Sequence, residues 1–96
     1  MFERIDKNTA IQKLETDSIL IDIRDAKSFE NGHIENAIHI TQKNMGDFIV
    51  NTNKGVPIMI ICYHGNSSQS VAYYLSMQGF TEVYSIDGGY EGWITD

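Results

Sequence analysis

The chain has 96 residues, a formal net charge of -6, 42% hydrophobic and 21% charged residues, one proline and one cysteine. That is enough apolar material for one small core and too little proline for a linker-rich chain. The acidic balance argues against binding nucleic acid or anionic membranes, and no apolar run approaches the roughly 20 residues that span a bilayer.

Phe2 to Ile5 reads as a short opening strand. Asp6 is placed to cap a helix over Lys7 to Glu15, with Ala10, Ile11 and Leu14 on one face. Ser18 to Ile23 is almost continuously apolar, as in a strand covered on both faces. Asp25 caps a short helix ended by Asn31-Gly32. Ala37 to Ile40 is a third strand, and Thr41 caps a helix to about Val50 with the stripe Met45, Phe48 and Ile49. Pro57 to Cys62 is a fourth strand. Ser67 to Met77 is a helix with Val71, Tyr74, Leu75 and Met77 turned inward, closed by Gln78-Gly79. Val83 to Ile86 is the last strand, and Gly88-Gly89 turns into a short helix containing Trp93. Strand and helix alternate throughout, so the expected fold is α/β with a mostly parallel sheet.

In such sheets ligands bind beyond the carboxyl ends of the strands. Cys62 stands at that edge, followed by Tyr63-His64-Gly65-Asn66-Ser67-Ser68. Gly65 permits positive φ, Asn66 tolerates left-handed backbone, and Ser67 and Ser68 can cap the helix that follows. Converging N–H groups and a helix N-terminus would favour the thiolate over the thiol, whose free pKa is about 8.5. The alternative is a buried structural cysteine, since free cysteine is among the most buried residue types. A lone cysteine cannot form an internal disulfide, and Met1 to Asp6 lacks the basic start and apolar stretch of a signal peptide. Both point to a reducing, cytoplasmic setting.

The segments around the loop resemble the rhodanese family. Ile21-Asp22-Ile23-Arg24-Asp25 is similar to its early strand motif, and Phe29-Glu30-Asn31-Gly32-His33-Ile34 to its second signature. Ala37 to Ile40 continues that segment, and Asp87-Gly88-Gly89-Tyr90-Glu91-Gly92-Trp93 is similar to the closing signature. The resemblance implies a single rhodanese-like domain over residues 1–96, with a mostly parallel central sheet flanked by helices on both faces. It implies a thiosulfate sulfurtransferase that works by ping-pong transfer. Cys62 would take the outer sulfur of thiosulfate as a persulfide, release sulfite, and pass the sulfur to cyanide or a dithiol such as thioredoxin. Tyr63, His64, Gly65, Asn66 and Ser67 would bind the substrate, their N–H groups cradling the terminal sulfur. No metal or organic cofactor is implied.

Many relatives carry Arg or Lys after the cysteine, and this loop has neither. Thiosulfate should therefore bind weakly, held by backbone more than by charge. A cysteine phosphatase would need Cys-x5-Arg, whose arginine grips phosphate bidentately, and that position is Ser68. A sulfur carrier or regulatory module is the non-enzymatic rival; partner-dependent transfer would distinguish a carrier. His33 and His39 are read as structural hydrogen-bonding residues, His64 as an exposed loop residue, the alternative being that it orients the anion or assists protonation, and Asp22 with Arg24 as a brace for the loops. Trp93 is expected in the core or as a lid, and one of Tyr73 and Tyr74 is expected to pack. Cys62, His33, His39 and His64 match no zinc-ligand spacing.

Overall fold

A computed structural model describes residues 1–95. Five strands, β1 (Glu3–Ile5), β2 (Ile19–Asp22), β3 (Ile38–His39), β4 (Ile58–Ile61) and β5 (Val83–Ile86), alternate with five helices. These are α1 (Lys7–Leu14), α2 (Ala26–Asn31), α3 (Met45–Asn51), α4 (Ser67–Met77) and α5 (Gly89–Ile94). The strands form one sheet in the order β1-β5-β4-β2-β3, and every pair is parallel. The chain therefore runs outward from β2 to β3, then returns to β4 and moves the other way to β5. The order reverses between β2 and β4, which is where open α/β sheets bind ligands.

All four residues of β4 are fully buried, as its continuous apolar run requires. Alternate side chains feed two cores. Met59 and Ile61 join Leu20, Tyr84 and Ile86 under Ala10 and Leu14 of α1 and Tyr90 and Trp93 of α5. Ile58 and Ile60 join Ile21 and Val83 under Met45, Phe48 and Ile49 of α3 and Val71, Ala72 and Leu75 of α4. Helices thus cover both faces. Asp6 and Asp25 are the N-caps expected of them, accepting the amide protons of Thr9 and Ser28. These bonds lower both pKa values, that of Asp6 chiefly through the Thr9 amide and that of Asp25 chiefly through the Ser28 hydroxyl, with the Ser28 amide second. Their stabilisation is complete above the unfolded carboxylate value of about 3.9 and is lost as pH falls through the lowered folded one.

Several expected details differ. Ile11 is 42% exposed, because Ala10 and Leu14, one turn apart, take the inward line of α1. Thr41 does not cap α3. Its carbonyl accepts from Asn44 and Met45 in a preceding turn, and Asn44 occupies the N-cap position. On α4 the buried line is Ser68, Ala72 and Leu75, so Tyr74 and Met77 face solvent, as does Tyr73. The small side chains of Ser68 and Ala72 let the helix approach the sheet closely, and a tyrosine does not fit beneath it. Asn66 has φ -95°, in the right-handed region, and stands at the N-cap position, but neither it, Ser67 nor Ser68 makes a side-chain cap; the Ser68 hydroxyl turns inward to Cys62 and Ser85.

Candidate active site

Cys62 follows β4 at the carboxyl edge of the sheet and is 3% exposed. The chain then turns sharply through Gly65, whose φ is +93°. A Cβ there would lie 2.9 Å from the Gly88 amide nitrogen, so only glycine fits both the turn and the space. This turn folds the start of α4 back over the sulfur. The Gly65 N–H donates to Sγ at 3.1 Å and the Ser68 N–H at 3.3 Å. The Ser68 hydroxyl oxygen also lies 3.3 Å from Sγ. Ser68 N–H belongs to the first turn of α4, whose positive end therefore faces the sulfur.

Burial by itself pushes the Cys62 pKa up, because it disfavours the charged form. The Ser68 hydroxyl and amide, and the Gly65 and His64 amides, outweigh it, and the net shift is downward. Ionised Cys62 thus stabilises the fold fully above its unfolded pKa of about 8.5, and loses that contribution as pH falls through the folded value. Removing the hydroxyl in Ser68→Ala should move the acid limb of the Cys62 alkylation rate to higher pH, since that limb reports the ionisation of the only thiol. An unmoved limb would show that the hydroxyl does not bear on the thiolate.

Helix α5 anchors the other side of the loop. Its first-turn amides donate to the loop's carbonyls: Tyr90 N–H to Cys62 at 2.7 Å and Glu91 N–H to Tyr63 at 3.1 Å. Gly89, at φ +59°, lies so close that a Cβ there would fall on the Tyr63 carbonyl and 2.5 Å from the His64 nitrogen. Gln69 Nε2 donates to the Gly65 carbonyl at 2.8 Å. With these carbonyls held outward, the amides of the same turn stay directed at the sulfur.

Of the residues expected to bind substrate, Gly65 contributes its amide to Sγ, while Tyr63, His64, Asn66 and Ser67 lie exposed at the rim. The Tyr63 hydroxyl is 2.6 Å from Ser28 Oγ; because Ser28 donates to Asp25, Tyr63 is the donor. His64 Nδ1 pairs with Glu91 at 2.8 Å. Asp22 and Arg24, 0% and 5% exposed, form a bidentate ion pair. Arg24 also donates to the Gly32 carbonyl and lies 3.9 Å from the centre of the Tyr90 ring, so it ties β2 to α2 and α5. His33 Nδ1 donates to the Phe29 carbonyl and His39 Nε2 to the Arg24 carbonyl, with Phe29 stacked on both rings. Among the described residues, no group of three or more His, Cys, Asp or Glu side chains could hold a metal ion.

The loop alone does not reveal Ser68's hydroxyl, Ser85, Gln69 or Glu91. Ser85 left one signal: a small polar residue inside an otherwise bulky buried strand.

Residues 6–96 match the model of the rhodanese-like domain family. The chain is 45% identical over 92 residues to the thiosulfate sulfurtransferase GlpE of Pseudomonas savastanoi pv. phaseolicola, covering 96% of this chain and 87% of that one. It is 46% identical over 93 residues to the protein of the same name from Pseudomonas putida (strain GB-1), covering 96% and 84%. The crystal structure of a rhodanese-like domain protein from Staphylococcus aureus superposes with a TM-score of 0.84 at 26% identity, covering 96% of this chain and 91% of that one.

Proposed function

The chain belongs to the rhodanese-like family, and from that premise we propose that it is a thiosulfate sulfurtransferase acting through a Cys62 persulfide. The observation that carries the reading is the buried Cys62 sulfur at the sheet's reversal point, met by two amides and a hydroxyl. The two amide donors favour a thiolate, the form that attacks.

In the first half-reaction the Cys62 thiolate bonds to the outer sulfur of thiosulfate. The S–S bond of thiosulfate breaks, and its electron pair leaves with sulfite. Cys62 then carries one additional sulfur as a persulfide anion, and the total charge is conserved. In this reading loop N–H groups of Tyr63 through Ser67 stabilise charge on that terminal sulfur, as an oxyanion hole does; the Gly65 amide that already meets Sγ supports it. In the second half-reaction cyanide takes the sulfur as thiocyanate and restores the thiolate. A dithiol such as reduced thioredoxin instead becomes a disulfide, and the sulfur leaves as hydrogen sulfide. No step draws on a metal or an organic cofactor.

Thiocyanate formation from thiosulfate and cyanide tests the reading. Parallel double-reciprocal lines are expected, as for any ping-pong enzyme. Converging lines, or no thiocyanate, would refute it. We place the reaction in the cytoplasm, a reducing compartment in which a free thiol persists. Among the described residues, no helix is long and apolar enough to cross a membrane.

The loop between Cys62 and Ser68 holds no Lys or Arg, and the nearby Arg24 is already committed to Asp22. Thiosulfate should consequently bind more weakly than the micromolar range. Calorimetric titration of the Cys62→Ser protein, which cannot turn over, measures this directly, and micromolar binding would contradict it.

A further inference from the structure

Beneath Cys62 lies a buried chain of two hydroxyls. Ser68 Oγ is 3.3 Å from Cys62 Sγ and 2.7 Å from Ser85 Oγ. Ser68 and Ser85 are both 0% exposed. Ser85 sits in the middle of β5, paired with Ile60 of β4 on one side and Arg4 of β1 on the other. A hydroxyl in so dry a place is costly unless it is hydrogen-bonded. Among the described residues its side chain has one partner, Ser68.

We propose that Ser85 is a positioning residue for the Cys62 nucleophile, fixing the direction of the Ser85–Ser68–Cys62 chain so that Ser68 donates to the sulfur. The direction follows from counting protons. Each serine has one hydroxyl proton to donate. If Ser68 donated to Ser85, the Ser85 proton would be left in the core without an acceptor. Ser85 therefore donates to Ser68. The Ser68 proton then has the sulfur as its remaining neighbour. A thiol proton aimed at Ser68 would in turn leave the Ser68 proton unpaired. Three donors consequently converge on Sγ, the Ser68 hydroxyl joining the Gly65 and Ser68 amides. Hydrogen bonds of this kind strengthen one another along the chain.

The ionisable groups on the elements around Cys62 are arranged independently of this chain. They are Tyr63 and His64 on its own loop, Tyr90 and Glu91 on α5, Asp22 and Arg24 at the end of β2, and Asp87 beyond β5. His64 pairs with Glu91, Asp22 with Arg24, and Asp87 with Arg4. Helix α4 brings only Tyr73 and Tyr74, both exposed. A change at Ser85 leaves these pairs in place.

Turnover consequences of this inference rest on the sulfurtransferase reading, whereas the thiolate can be read without it. Cys62 is the only thiol, so the pH dependence of its alkylation by iodoacetamide reports it alone. In Ser85→Ala the Ser68 hydroxyl loses the donor that fixes and polarises it, so its bond to the thiolate weakens. The alkylation profile should shift to higher pH, with a roughly two- to tenfold lower rate at neutral pH, as expected for one hydrogen bond. Ser85→Thr, which keeps the hydroxyl, should restore the profile. Ser85→Val repeats the deletion at the volume of threonine, in case the alanine variant does not fold. An unshifted or lowered profile in a folded Ser85→Ala or Ser85→Val protein overturns the proposal, as does a Thr variant that behaves like Val. A wild-type protein that shows the low alkylation profile but makes no persulfide would refute the sulfurtransferase reading and leave this one standing.

Discussion

Cys62→Ser is expected to abolish sulfur transfer and to leave the fold intact. Mass spectrometry of the wild-type chain after thiosulfate, without reducing agent, should show a gain of one sulfur atom. The serine variant should show none, and thiocyanate formation should fall to the uncatalysed background. The reason is chemical: a serine hydroxyl is barely ionised at neutral pH and cannot carry sulfane sulfur as a persulfide. The exchange of sulfur for oxygen is close to isosteric, and the Gly65 and Ser68 amides keep an acceptor. Thermal unfolding should therefore move little. A sulfur adduct on the variant, the only cysteine having been removed, would show that the sulfur is carried elsewhere.

Asp22→Ala should be the most destabilising single change near the site. Its carboxylate is fully buried and holds Arg24 through bonds of 2.8 to 3.1 Å. Removing it leaves a guanidinium stranded in the core, which costs on the order of 3–5 kcal/mol. That is a large share of the roughly 5–15 kcal/mol by which such domains are stable. Urea unfolding should show a much lower midpoint or no cooperative transition. Asp22→Ala combined with Arg24→Met removes the stranded charge and should be less destabilised than Asp22→Ala alone. A double variant in which the two losses simply add would mean that the pair is not coupled. Activity should suffer as well, because Arg24 links β2 to the Gly32 carbonyl and to the Tyr90 ring of α5, the helix that anchors the Cys62 loop.

Much of this was legible in the chain because it depends on local pattern. The apolar run before Cys62, the caps Asp6 and Asp25, and the glycines at 65, 88 and 89 each act within a few residues. They set the strands, the helix starts and the positive-φ turns, which here are +93°, +79° and +59°. The alternation of strand and helix led to a parallel sheet, and the signatures flanking the lone cysteine led to the family. The absence of a cation between Cys62 and Ser68 was equally plain in the sequence.

What the sequence could not determine was which distant groups support the residues around the sulfur. The rotation of α4 placed Ser68 inward and Tyr74 outward, although an apolar count favours the reverse. That rotation is set by how closely the helix packs on the sheet, a property of two elements together. Ser85 reaches Ser68 only because β5 is paired beside β4, and Glu91 reaches His64 only because α5 docks on the loop. The presence of a nucleophile at the strand's end was therefore a matter of sequence. The Gly65 and Ser68 amides on its sulfur lie within six residues of it and were legible as a loop of N–H groups, whereas its burial and the Ser85 partner of the Ser68 hydroxyl are decided by packing between elements, which no local pattern encodes.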